Sequence, residues 1–240
     1  SPSTVSLSPG AILGRYQIVR ELGRGGMGAV YEAVREDLDK RVALKVLHRE
    51  LAADSIARER FLREGRAAAK IHHPHVAEVF DVGVADDGTL YLVMEHLRGE
   101  TLADAFDRQR PVAPEALVDL LLPVCAVLAC AHEAGVVHRD IKPENIFLAA
   151  TRHGVTQVKL LDFGISKTLA RGPRPLTAHE VLGTPEYMAP EHVRDTAGVD
   201  GRADQYAVGV VLCEGVTGRG PFEGADLYGV LAAVLSGAFS

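Results

Sequence analysis

The hydrophobic periodicity changes once along the chain, and that change bounds the folds open to it. Up to about residue 95 apolar side chains mostly alternate, as in strands with one buried face. Residues 16–22 and 29–35 flank a glycine-rich turn, 41–47 supply a third strand, and 76–84 and 90–94 two more. One helix interrupts them at 54–70, with Ile56, Glu64, Ala68 and Ile71 at helical spacing on one expected inward stripe. An inward glutamate requires a cation. Past "EHLRGE" the pattern becomes helical, at 102–110, 115–134, 203–217 and 227–235. The expectation is an α+β chain, with an antiparallel-sheet lobe carrying one helix over 11–97 and a mainly helical lobe over 98–240. Residues 1–10, "SPSTVSLSPG", lack a basic segment and an apolar core and read as a flexible lead-in rather than a signal peptide.

Composition narrows the function classes. With 240 residues, 47% of them hydrophobic, the chain has enough apolar material for a sizeable core. A formal net charge of -6 argues against a nucleic-acid surface. Cys125, Cys130 and Cys213 are too few and too irregularly spaced for a disulfide framework or a zinc site, and read as reduced packing residues of a cytoplasmic protein. The most apolar run, 120–131, is about twelve residues long against the roughly twenty of a bilayer crossing, so it is expected to be a buried helix and the chain to hold no membrane segment. Pro123 inside it should kink it.

The turn between the first two strands, "LGRGGMGAVY", places Gly23, Gly25 and Gly28 ahead of Val30. Glycines there let backbone amides approach phosphates. No Lys-Ser/Thr follows Gly28, so this is not a P-loop, and a strand rather than a helix follows, so it is not a dinucleotide fingerprint. A flap over ATP fits; a plain glycine-rich hairpin is the alternative. In "VALK", Lys45 is a cation among apolar strand residues, and Glu64 is its expected partner in preference to Glu59, which lies off the apolar stripe. "HRDIKPEN" then supplies Asp140, Lys142 and Asn145, and "KLLDFGISK" supplies Asp162. Phosphoryl transfer needs these parts: a carboxylate to orient a hydroxyl, a cation at the transferred group, and oxygen ligands for magnesium. Each motif alone has a structural explanation, but the ordered set does not.

With "GRGGMGAV", "VALK", "HRDIKPEN", "DFG" and "GTPEYMAPE", the chain from Tyr16 onward resembles the eukaryotic-type protein kinases, and "HEAGVVHRDIKPENIFL" resembles the bacterial Hanks-type Ser/Thr branch. The resemblance implies a bilobal kinase fold. It makes Asp140 the catalytic base, Lys142 the stabiliser of the transferring phosphoryl group, Asn145 and Asp162 the metal ligands, and Lys45 with Glu64 the grip on ATP. Leu22, Val30, Ala43 and Phe147 would sandwich adenine, with Met94 as gatekeeper and the backbones of Glu95 and Leu97 as its hydrogen-bonding hinge. ATP and Mg2+, with Mn2+ as a substitute, are the implied cofactors. Lys142 and Thr184 point to protein Ser/Thr hydroxyls as acceptors. Arg139 beside the base invites a phosphate on the following segment, where Thr177 is the candidate, and a dimer would serve autophosphorylation. The resemblance further implies a helical lobe extending past residue 240, hence a truncated one, and allows the chain to be the cytosolic part of a longer membrane-anchored protein. A nucleotide-binding pseudokinase scaffold and a small-molecule kinase are the other readings, the latter disfavoured by the protein-substrate platform "GTPEYMAPE". His72, His73 and His75 read as turn residues rather than a metal site, and His138 as a packed core histidine.

Overall fold

The computed structural model describes residues 6–25, 28–151, 154–163, 185–194 and 198–239. These fall into two compact units, one formed by residues up to 72 with 77–97, the other by 73–76 with 98 onward.

In the first unit, β1 (Ile12–Leu13), β2 (Tyr16–Gly25), β3 (Gly28–Arg35), β4 (Lys40–Leu47), β5 (Val79–Val84) and β6 (Leu90–Glu95) form one antiparallel sheet in the order β1-β2-β3-β4-β6-β5. The period-two pattern gives its two faces. Tyr31 lies opposite Leu44 and Leu44 opposite Val93, and these rows bury a core with Tyr16, Ile18, Ala33, Val42 and Val46. The other face carries the rows Val30–Lys45–Leu92 and Glu32–Ala43–Met94. At Gly28 any Cβ would overlap the carbonyl of Val46, so the turn between β2 and β3 tolerates only glycine at that point.

Two helices, α1 (Arg49–Ala53) and α2 (Ser55–Ala68), follow β4, and Asp54 caps α2 by accepting the N–H of Ile56 at 2.9 Å. The buried stripe of α2 differs from the expected one: it consists of Ala57, Phe61, Gly65 and Ala68, while Ile56 is 60% exposed. The reason is steric. α2 packs on β5, where a Cβ on Gly65 would come within 2.7 Å of Val82 Cγ2, so the glycine rather than Ile56 defines the contact line. Residues 6–10 also depart from the expected loose lead-in. Gly10 N–H donates to the Ile18 carbonyl at 2.8 Å, and Leu7 packs on the core and donates its N–H to Tyr31 Oη at 3.2 Å.

The strand expected from residue 76 begins at Val79. Val76 instead bridges Leu160 of the second unit, where the His75 ring meets the Val158 carbonyl at 2.8 Å and Lys159 Nζ donates to the Val76 carbonyl at 3.2 Å. That unit contains β7 (Gly99–Thr101), α3 (Leu102–Arg108), α4 (Pro114–Glu133), β8 (Ile146–Ala150), β9 (Thr156–Leu160), α5 (Pro190–Arg194), α6 (Gly201–Thr217) and α7 (Leu227–Ser236), with the strands ordered β7-β8-β9. Thr101 and Asp104 close a reciprocal cap at the start of α3. α4 crosses α6 at Gly215, where a Cβ would strike Leu117 and Phe106.

α4 runs through Pro123 as one helix of 20 residues, longer than its most apolar run. By length and composition alone it is, among the described residues, the one helix that could cross a membrane. Leu117, Leu121, Val124, Val127, Leu128 and Ala131 form its buried face, whereas Val118, Leu122 and Cys125 are exposed. It is thus buried on one side only, and Cys125 is not the packing residue expected.

Candidate active site

The second unit carries Asp140, Lys142, Asn145 and Asp162. Between the end of α4 and β8 the chain makes a 3₁₀ turn at Pro143–Asn145, and this brings Asn145 back onto Asp140. Asn145 Nδ2 donates to the Asp140 carbonyl at 2.7 Å and to its Oδ2 at 3.0 Å, and Lys142 Nζ stands 3.6 Å from the same Oδ2. The Asn145 carbonyl in turn accepts the N–H of Leu161, the residue before Asp162. The three expected residues of the loop therefore converge, and the fourth is tied to them through its neighbour.

Two residues here hold left-handed backbone: Arg139 at φ 65° and Asp162 at φ 47°. Each conformation costs on the order of 1–2 kcal/mol for a residue with a Cβ, so the surroundings must hold it. His138, fully buried, does part of this. Its Nε2 lies 2.7 Å from the Leu161 carbonyl, its Nδ1 lies 3.2 Å from the Asp140 N–H, and its ring packs on Phe163 with centroids 4.8 Å apart. A carbonyl at Nε2 and an N–H at Nδ1 select the neutral tautomer with the proton on Nε2. Burial pushes the imidazole below its ordinary value and keeps it neutral, despite the opposing pull of Asp204.

Asp204 of α6 completes the loop's support. It is 1% exposed; Oδ1 accepts the Arg139 N–H at 2.7 Å, and Oδ2 accepts the His138 N–H at 2.8 Å and meets His132 Nε2 at 2.8 Å. Sequence reasoning missed this residue. Its signal was an aspartate in helical phase with Ala207 and Val211, both buried, on the helix expected at 203–217. Glu214 carries the same signal three residues beyond Val211. Its carboxylate accepts from Arg110 Nη1 at 2.6 Å and from the Tyr187 hydroxyl, anchoring the "PEY" that opens the described part of "GTPEYMAPE". Burial first, then the bond to Glu214, pushes the Tyr187 phenol well above its ordinary value.

In the first unit, Val30, Ala43, Lys45 and Met94 share one face of the sheet, with Ala43 and Met94 buried. Gly23 and Gly25 lie on β2 at the hairpin and Leu22 is 41% exposed; Glu95 ends β6 and Leu97 follows it, while Phe147 lies on β8 of the second unit. Glu64 does not form the expected pair with Lys45. Its carboxylate accepts from Arg63 Nη2 at 2.9 Å with the side chain 26% exposed, because Glu64 flanks the buried stripe of α2 instead of lying within it.

Thr177 and Thr184 lie outside the described residues. Among the described residues no three His, Cys, Asp or Glu side chains gather as a metal cage. His75 N–H donates to His73 Nδ1, which fits the turn role expected for "IHHPH".

Comparison with known proteins agrees with this geometry. Residues 16–235 match the model of the protein kinase domain. The chain is 41% identical over 232 residues to the serine/threonine-protein kinase pkn3 of Myxococcus xanthus, covering 95% of this chain and 42% of that one. Pkn1 of the same organism is 45% identical over 225 residues, with 93% and 32% covered, and PknB of Mycobacterium tuberculosis 38% identical over 221, with 90% and 34% covered. The chain thus spans less than half the length of these relatives. Among solved structures, the PknI kinase domain of Mycobacterium tuberculosis superposes with a TM-score of 0.73 at 33% identity, over 91% of this chain and 80% of that one. The chain belongs to the protein kinase domain family. Its named relatives are bacterial serine/threonine kinases, and the family uses ATP and a divalent metal ion.

Proposed function

We propose that this domain transfers the γ-phosphate of ATP to serine or threonine hydroxyls of proteins, its own activation segment included, with Asp140 as the base that orients and accepts the proton of the hydroxyl. The convergence of Asn145 and Lys142 on Asp140 is the observation that carries the reading. A carboxylate that takes a hydrogen bond from an amide and faces an ammonium holds a fixed direction, as a hydroxyl-orienting group must. Lys142 then stands where the charge of the transferring group develops. Asn145 and Asp162 offer oxygens suited to Mg2+, which would neutralise charge between the phosphates, with Mn2+ able to substitute.

Lys45 grips the phosphates from the face that also carries Val30, Ala43 and Met94 for the base. Leu22, Gly23, Gly25 and Gly28 cover the nucleotide, Phe147 closes on adenine, and the backbones of Glu95 and Leu97 bond its edge. Glu64 leaves Arg63 for Lys45 in the active state. Thr177 and Thr184 follow from the sequence, as the phosphate acceptor and as part of the substrate platform. Arg139 is the residue that receives the phosphate. Free cysteines and ATP chemistry support a cytoplasmic setting, and a second copy of the chain would serve as partner for autophosphorylation.

The test is transfer of labelled phosphate from ATP to a generic basic protein with Mg2+. Asp140→Asn should lower transfer by about a thousandfold or more while nucleotide affinity changes less than twofold. Undiminished turnover would overturn the assignment, and a scaffold without activity would show nucleotide binding alone.

A further inference from the structure

Glu32 is the one buried carboxylate among the described residues of the six-stranded sheet, at 4% exposure. It lies opposite Ala43, which lies opposite Met94, so all three share the face assigned above to the nucleotide. A carboxylate there gains nothing from packing, and its desolvation costs several kcal/mol unless it is paired. Three side chains from three segments meet it, two of them guanidinium groups. Arg20 of β2 donates Nε to Oε2 at 2.8 Å, Arg41 of β4 donates Nη1 to Oε1, and His96 Nε2 stands 3.8 Å from Oε2. The two arginines are 62% and 54% exposed, whereas His96 is 10% exposed. These partners hold the Glu32 carboxyl below the usual range against the desolvation that would raise it.

Ion pairs with half-exposed arginines contribute little to stability. The buried contact is with His96, which sits between Glu95 and Leu97. We propose that Glu32 is a positioning residue for ATP: by fixing His96 against β2 and β4 it sets the backbone of 95–97 for the adenine edge. This rests on the assignment of that backbone to adenine under Proposed function. Hydrogen bonds weaken steeply when misaligned, so a small shift of 95–97 weakens nucleotide binding. Asp140, Asn145 and Asp162, which belong to the other unit, keep their own supports. The expected signature is a change in KM for ATP with kcat preserved.

The experiment uses the whole chain with Glu32→Gln, which keeps volume but removes charge, Glu32→Leu, which is apolar and of similar size, and His96→Phe. KM for ATP, kcat on a basic protein and Tm without nucleotide are measured for each. All three should raise KM about five- to tenfold, the worth of a lost or misaligned hydrogen bond, with kcat within twofold. Glu32→Leu should do so with Tm at or above that of the parent, since apolar replacement of a buried ion pair is commonly neutral or stabilising. Unchanged KM, or kcat, KM and Tm falling off together, would reduce Glu32 to a structural residue and overturn the proposal. Lys45→Met in the parent background separates the underlying assignment: if it leaves ATP affinity unaltered, the nucleotide face itself is wrong and the role of Glu32 falls with it.

Discussion

At 138–145 the chain is held by partners far along the sequence: Asp204 takes two backbone N–H groups and a histidine, and His138 is locked between Leu161 and Asp140. At Lys45 and Glu64 the side chains sit on a strand and a helix of the other unit, and the helical partner is engaged by its own neighbour, Arg63. Burial explains the contrast. Around Asp204 water is excluded, so each bond is costly to break and the loop has one stable arrangement. Glu64 is partly solvated, and a pair of that kind is worth about 0–1 kcal/mol, so its bond to Arg63 costs little to break. The 138–145 loop is therefore held in one arrangement, while Glu64, the proposed partner of Lys45, is held only by a partly solvated bond.

Breaking the support of the 138–145 loop should have the largest effect. Asp204→Ala strips the acceptor from two buried N–H groups and from His132, and should lower the free energy of urea unfolding by about 3 kcal/mol or more. Activity should drop at least a hundredfold in the fraction that stays folded. A variant with parental stability and turnover would show that the loop holds its shape by itself.

On the side of Lys45 and Glu64, Glu64→Ala should lower kcat/KM about tenfold with Tm within about 2 °C, since the carboxylate is partly solvated and bonded to its own neighbour. Arg63→Ala should act oppositely and raise basal activity up to about threefold by releasing Glu64. If Arg63→Ala were as damaging as Glu64→Ala, the Arg63 pair would belong to the active state and the contrast drawn above would reverse.

The smallest expected effect concerns protons. His138 is held below its ordinary value by burial, so the unfolded chain binds the proton more readily than the folded one. Stability is then complete above about pH 6.5 and falls as pH drops from there toward the folded value, with a slope of at most about 1.4 kcal/mol per unit. Unfolding free energies between pH 7 and 5 should show this decline, and His138→Phe should flatten it. His73, also lowered by burial and by His75, leaves a residual slope. An equal slope in parent and variant would mean that His138 titrates alike in both states.

Much of this protein was legible before folding. The switch from period two to helical spacing near residue 97, the glycines ahead of Val30, and the order of Lys45, Asp140, Asn145 and Asp162 are local patterns, and local stereochemistry acts on near neighbours in the chain. The return of Asn145 onto Asp140 is of this kind, five residues apart. Tertiary structure alone decided the rest. Ile56 and Gly65 are both compatible with a buried helical stripe, and only the approach of Val82 selects the glycine. Asp204 is 64 residues beyond Asp140, and Glu32 meets arginines of two other strands and a histidine 64 residues on. A carboxylate in an apolar pattern announces that some cation or N–H must come to it. Which one comes depends on strand register and helix crossing, and these are settled by packing over the whole chain.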